Sequence, residues 1–484
     1  MAWHSAYLQR VLAPDYRFAA ENLKHHFIDA MTAHLDEVLK LSGHSPESVS
    51  AGRELRTTLV SLHDEPAPSY VEDVPDLYFA LQRVLEAKHG DAVGLIRLGL
   101  SRNDLDMTVY KMHGRTLLAR LGAVLIELRG LLLDKAARHV GTVLIAHTHH
   151  RPGQPTTVAH YLEAAQDLLS RDTQRLLQAY DRSNLSPLGA AALAGTSHAL
   201  DRHRTAAALG FDGPVENTYD AVAAADWEFD LAMVGQSVAL NLGRVVDDLL
   251  TWASQDLYVL ADGLVQGSSI MPQKRNPVAL EHVRTRLSRA IGSAAMVTFS
   301  SHNIPFADLN DFGPDIQGGL VAQHRQLMGA LDLMSACLRG GDFDERRLAE
   351  VARRTDTTAT ELADVLVRDA GFDFPRAHSV VAALLSRLEA NGTPLAEATP
   401  EDVVAAGGPA MTPESLRDAV DAHAFVERRL GFGMPAAATM EESLRRSRSA
   451  VEADAEGLGV RVGKVESAVA SLRGVNLQVV GSDA

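Results

Sequence analysis

Apolar side chains recur through the middle of the chain at the spacing of a helix face. In "RTLLARLGAVLIELRGLLLDKAARH" they fall at Leu117, Leu118, Leu121, Val124, Leu125, Leu128, Leu131 and Leu132. In "DLAMVGQSVALNLGRVVDDLLTW" the series Leu231, Val234, Val238, Leu242, Val245, Leu249 and Trp252 steps by three and four throughout. Stripes of this width are what a bundle helix buries. The same pattern predicts further helices over about 157–182, 277–300 and 317–338, while the strict alternation of a half-buried strand is scarce. Several of these helices exceed the mean globular length of about 11–12 residues. Long striped helices bury one another in bundles, commonly across subunits as well as within one.

The pattern breaks at "LRGGDFDE", 338–345. Shorter helices follow, "TATELADVLVRDAG" and "PRAHSVVAALLSRLEANG", the second with Pro375 near its start and both closing at glycine. The expectation is an all-α chain of three helical domains, 1–104, 105–340 and 341–484, with the long bundle in the middle.

Composition narrows the function. The 484 residues carry 46 Lys and Arg against 62 Asp and Glu, a net charge of -16. That balance argues against nucleic acid as a general partner. An anionic ligand then needs a few cations concentrated in one place. No run approaches the roughly 18 apolar residues of a membrane span, and the opening "MAWHSAYLQRVLAPDYRFAAE" lacks a signal-peptide core. One cysteine, Cys337, excludes an intramolecular disulfide, suits a reducing cytosol and reads as a buried small hydrophobe. A cytoplasmic protein without membrane contact is expected.

Three stretches carry candidate chemistry. In "GSSIMPQKRNP", 267–277, glycine and two serines suit a loop that closes over a ligand, and Asn276 with Pro277 reads as the N-cap and first residue of a helix. Lys274 and Asn276 would thereby sit at a helix N-terminus, where free N–H groups and the dipole favour an anion. Removing a proton beside a carboxylate builds a dianion that pre-positioned donors stabilise. Ser268 or Ser269 can act as the base only if cations and N–H groups strongly lower its pKa. The plainer reading is a glycine-serine turn before a capped helix.

In "GLSRND", 99–104, Arg102 can grip a carboxylate bidentately with Ser101 and Asn103 adding hydrogen bonds; a capped helix start explains the same residues. "AHTHHRPGQPTTVAHYL", 146–162, gathers His147, His149 and His150 around Thr148 before a helix. Histidine can protonate a leaving group near neutral pH. The cluster lacks zinc-like spacing of partners, so no metal is expected.

In this order, the three motifs resemble those of the aspartase/fumarase superfamily, and most closely its argininosuccinate lyase branch. "SRND" is similar to the first signature, Thr148 and His149 with Gln154 and Pro155 to the second, and "GSSIMPQKRNP" matches GSSxMPxKxNP at every fixed position, Met271 included. "SPLGAAALAGT" (186–196), "NTYDAVAAADW" (217–227) and the C-terminal "TELADVLV" and "FPRAHSVV" extend the likeness over roughly residues 75–435. The resemblance implies a homotetramer whose central helices form a twenty-helix bundle, with each active site drawn from three subunits. It implies reversible β-elimination of fumarate from a succinyl compound, without metal or organic cofactor. Ser268 then matches the base with Ser269 beside it in the oxyanion loop. Lys274 and Asn276 match the carboxylate-binding pair, Ser101, Arg102 and Asn103 the fumarate binders, and Thr148 a further carboxylate ligand. His149 matches the histidine assigned to acid or electrostatic work, and Glu281 its carboxylate partner.

The chain also departs from that branch. Leu100 stands where a basic residue usually precedes SRND, "PDLY" with Tyr78 replaces a histidine-bearing acidic stretch, and Pro152 stands near a usual arginine. The segment "IPFADLNDFGPDIQ" lacks the tyrosine and lysine that hold the arginine half of argininosuccinate. The fumarate half of the site is kept and the amine half altered, which leaves argininosuccinate and another N-substituted aspartate both open as substrates. Two other classes share the scaffold: a carboxymuconate-type cycloisomerase, separated by product analysis, and a non-catalytic structural homologue such as a lens crystallin.

Overall fold

The apolar stripes become the seams of a helix bundle in the computed structural model, which describes residues 3–311 and 313–475. The N-terminal part is helical, with α1 (Ala13–Asn22) and α2 (Lys24–Val38) packed toward the start of α3 (Arg102–Arg138). At its N-terminus α3 has a capping box: Ser101 and Asp104 each accept a backbone N–H from the other's side of the turn. Lys135 and Arg138 complement the dipole in the last turn. Leu117, Leu118, Leu121, Leu125, Leu128 and Leu132 are all buried, with Val124 and Leu131 half-buried at the margin.

A hairpin follows, β1 (Val143–Thr148) with β2 (Arg151–Thr157). Then α4 (Val158–Ser183) returns along α3. From the near end α5 (Asp226–Ser254) runs out again, burying every member of its stripe from Leu231 to Trp252. Gly235 lets a neighbouring helix approach, since a Cβ there would stand 2.5 Å from the Gln323 side chain. Short ladders turn the chain at the far end, β3 (Tyr258–Leu260), β4 (Gln266–Gly267) and β5 (Arg275–Asn276). They lead into α6 (Val278–Ser301), and α7 (Pro314–Gly340) closes the bundle against it.

The break at 338–345 is a strand, β6 (Gly341–Phe343), antiparallel to β3. Lys135 and His139 both engage Asp342 there, at 3.0 and 2.8 Å, and fix the end of α3 to the ladder. Beyond come α8 (Glu345–Arg354), α9 (Ala359–Arg368) and α10 (Phe374–Asn391), the last ending on Gly392 in the left-handed region. A small separate core spans Leu362 to Val420. It occupies less than the 341–484 expected, because α11 (Ala437–Arg473) packs back on α3 and α4 and contributes Met440, Leu444 and Leu472 to the main core. Cys337 is buried and free. Among the described residues no helix is long and apolar enough to cross a membrane.

Candidate active site

At the first motif, Ser101 caps α3 and Arg102 opens it. The guanidinium is held by two carboxylates. Its Nε and one terminal nitrogen donate to Asp106, at 3.2 and 2.6 Å, and the other terminal nitrogen donates to Asp76. Tyr78 and Phe79 lie 5.4 and 5.7 Å away, ring centroids to guanidinium carbon. Burial opposes the charge on Arg102, but Asp106 and Asp76 outweigh it and raise its pKa. A substrate carboxylate at Arg102 therefore competes with two internal ones.

Asp104 faces the other way. It is fully buried and accepts N–H bonds from Ser101 (3.0 Å), Gly189 (2.8 Å) and Ala191 (3.0 Å). It thereby clamps the glycine-rich segment 186–196 to the first motif. That segment is strained, with Ala191 at φ 49° and Leu193 at φ 142° beside Gly189 at φ 88°. Burial pushes Asp104 up to about 7, with the backbone donors opposing.

The second motif forms the tip of the β1–β2 hairpin, which leads into α4 as the sequence predicted a helix there. Thr148 pairs with Arg151, so His149 and His150 are a two-residue turn, and both have positive φ, 52° and 59°. This is the turn that Asn-Gly normally makes. A left-handed residue other than glycine costs about 1–2 kcal/mol, here twice over, to hold two imidazoles at an exposed tip. Gln154 donates to Thr360 Oγ1 at 3.3 Å and ties the hairpin to α9.

The third motif is an exposed loop between β4 and α6. The Ser268 hydroxyl oxygen accepts the backbone N–H groups of Ile270 (3.4 Å) and Met271 (3.2 Å). Lys274 N–H closes a turn onto the Met271 carbonyl at 3.1 Å, and the Lys274 and Ser269 side chains face solvent. Asn276 does not cap the helix. It lies in β5 paired with Gln266, and α6 starts at Val278 with no side-chain cap, because Arg275 is drawn to Asp262 and the Leu260 carbonyl, extending the chain before Pro277. Glu281 occupies the first turn of α6 and is exposed.

These groups stand at opposite ends of the bundle. The 37 residues of α3 span about 55 Å. The first motif and segment 186–196 lie at its start, while the hairpin and the Ser268 loop follow the far ends of α3 and α5. One chain brings Ser101, Arg102 and Asn103 together but leaves them far from Ser268 and Lys274. Sequence reasoning missed Asp76, Asp104 and Asp106; the capping-box spacing of Ser101 and Asp104 was the available signal.

Residues 73–292 match the lyase family model, and residues 356–427 that of the argininosuccinate lyase C-terminal region. The chain is 35% identical over 400 residues to argininosuccinate lyase 2 of Agrobacterium fabrum, covering 80% of this chain and 79% of that one. It is 37% identical over 337 residues to the argininosuccinate lyase of Methanoculleus marisnigri, covering 68% of each. A solved EDDS lyase in complex with formate superposes with a TM-score of 0.81 at 27% identity, covering 98% of this chain and 95% of that chain. Fold and matches together define a lyase of the helical-bundle class. The chain belongs to the argininosuccinate lyase-like branch of the aspartase/fumarase superfamily.

Proposed function

We propose that the protein is a carbon–nitrogen lyase that releases fumarate by reversible β-elimination from an N-substituted aspartate. One observation carries the mechanism: the Ser268 oxygen already receives two backbone N–H groups, the environment that stabilises a serine alkoxide. Ser268 takes the Cβ proton. The electron pair delocalises into the adjacent carboxylate as an aci-carboxylate, balanced by Lys274 and Asn276 near the N-terminus of α6. The C–N bond then breaks, and His149, oriented by Glu281, returns a proton to the departing nitrogen. Ser101, Arg102, Asn103 and Thr148 bind the dicarboxylate.

The roughly 55 Å separation along α3 supports a site assembled from several protomers of a homotetramer, each giving one motif. Argininosuccinate is the less favoured substrate, because segment 304–317 lacks the tyrosine and lysine that the resemblance assigns to its arginine half.

The test joins both claims. Ser268→Ala should lower kcat by about a hundred- to ten-thousandfold with KM nearly unchanged. Asn103→Ala disables the other end of the chain. Refolding the two inactive variants together should restore part of the activity, since hybrids contain sites with both residues intact. Verified hybrids that stay inactive would refute the shared site, and an active Ser268→Ala would refute the base.

A further inference from the structure

A chain of polar groups runs outward from α2, away from all three motifs. Asp29 is buried, and Arg473, the last residue of α11, donates to both its oxygens at 2.8 and 2.6 Å. Burial opposes the charge on Asp29, but Arg473 and His63 outweigh it and hold its pKa below the usual value. His63 Nε2 lies 2.9 Å from Asp29 Oδ1. That nitrogen therefore carries a hydrogen, since an ionised carboxylate only accepts. The other ring nitrogen of His63, Nδ1, faces Nδ1 of His25 at 3.0 Å. The rings are parallel to within 2° with centroids 5.2 Å apart, so they meet edge to edge through a hydrogen bond.

A bond between two like nitrogens depends on proton count. With both rings neutral, His25 Nδ1–H donates to the His63 lone pair. One added proton enters at the outer nitrogen of His25 and leaves the bond in place. A second must occupy His63 Nδ1, and two N–H groups then confront each other. The surroundings add fixed cations. Burial, then Lys24, His63 and Arg473, lower the pKa of His25, with Asp29 opposing. Arg115 on α3 also feels Asp29. His26 and His113 pack edge to face on the inner side, and burial pushes them down to about 3 and about 4, so they stay neutral. Asp64 and Glu65, near Lys24, are exposed.

What the pair fastens is a strap. Residues 62–76 run without helix from the end of the helix Pro46–Ser61 to Asp76. Lys24 donates to the carbonyls of Leu62, His63 and Glu65, and the Tyr16 hydroxyl to that of Pro68. At the strap's end Asp76 engages Arg102 and caps the helix Leu77–His89. We propose that His25 and His63 form an acid-sensitive latch, which holds the strap and the end of α11 on α2 while at most one ring is protonated and releases them when both are. Release also loosens Asp76, one of the two carboxylates that occupy Arg102, so the latch reaches the first motif while the bundle stays folded.

The closed pair binds one proton fewer than the open one, so the latch is firm above the ordinary histidine value of 6.5 and weakens as the pH falls below it. Opening gains tenfold per pH unit, about thirtyfold by about pH 5. Hydrogen–deuterium exchange of the full chain at about pH 7.5 and about pH 5, corrected for intrinsic rates, reads this on peptides covering 62–76 and 466–475, with α5 as reference. In the parent both should exchange about ten- to thirtyfold faster at the lower pH while α5 holds. His25→Gln supplies an amide that presents either its N–H or its carbonyl to His63, and should reduce the response to under about threefold. His25→Lys sets a fixed cation against His63 and should open the strap already at about pH 7.5. His25 is exposed, so neither variant disturbs the core. A parent that responds by less than about threefold, a His25→Gln protein that responds like the parent, or a rise shared equally by α5 would overturn the latch.

Discussion

Replacing Asp104 by alanine should loosen the first motif from the glycine-rich segment, by an amount the structure sets. The carboxylate accepts three backbone N–H groups. Ser101 is half-buried, and water can replace its acceptor. Gly189 is buried and Ala191 half-buried, so their amides lose a partner that solvent does not fully supply. Unsatisfied buried amides cost about 1–3 kcal/mol each, which gives roughly 2–6 kcal/mol for the pair as an upper bound. Removing a carboxyl that burial holds up to about 7 returns part of that. A net loss of about 2–3 kcal/mol corresponds to roughly thirty- to a hundredfold faster amide exchange, at tenfold per 1.4 kcal/mol. Hydrogen–deuterium exchange read on peptides covering 186–196 measures this in the folded protein, with peptides from α5 as internal reference. Asp104→Asn, which keeps one acceptor oxygen, should fall between. If 186–196 in a folded Asp104→Ala protein exchanges within about twofold of the parent, the clamp does not hold the segment and the reasoning fails.

The same carboxyl predicts a pH dependence. Its folded-state pKa of about 7 lies above the ordinary 3.8, so the folded protein keeps a proton that the unfolded chain has released. The stabilisation is complete below about pH 4 and is lost as the pH rises through about 7. Protection of 186–196, corrected for intrinsic exchange, should decline from about pH 5 to about pH 8 in the parent but not in Asp104→Asn; equal slopes would exclude Asp104 as the source. At the hairpin tip, His150→Gly should relieve a left-handed residue and stabilise the hairpin by about 0.5–1 kcal/mol. Slower exchange of β1 and β2 amides reports it, and faster exchange would show that the His150 side chain itself stabilises the turn.

The bundle was legible because its stripes are wide: a helix burying Leu231 through Trp252 announces its period. The last helix was not. Along its 37 residues α11 buries only Met440, Leu444, Leu458, Ala470 and Leu472, and ion pairs hold much of the rest, so its sequence reads as polar. The hairpin escaped for a related reason, since Thr148-His149-His150-Arg151 offers no glycine or asparagine, the residues that usually mark such a turn. In the third motif Asn276-Pro277 has the letters of a capped helix start, but Arg275 reaches Asp262 and Leu260, thirteen and fifteen positions back, and decides the backbone instead. Of the first motif, the Arg102–Asp106 pair is an i,i+4 contact open to sequence reading, whereas Asp76 and Gly189 meet the motif only through the fold. Residue types disclosed the chemistry; which end of the bundle each occupies is a property of the path between them.

The return of α11 also gives the chain a schedule. On the ribosome the small core from Leu362 to Val420 can close as soon as its own residues emerge. The main core cannot. Its final seam needs Met440, Leu444 and Leu472, and the ion pairs across it include Arg129 to Asp454, Asp181 to Arg461 and Asp29 to Arg473. The buried guanidinium of Arg129 is separated from Asp454 by 325 positions, roughly 15–65 s of synthesis at the usual 5–20 residues per second. Until α11 is made, α3 and α4 lack the helix that covers their apolar groove, and Arg129 lacks its carboxylate partner. The later-made small core is thus free to close first, while the main core waits for its last helix.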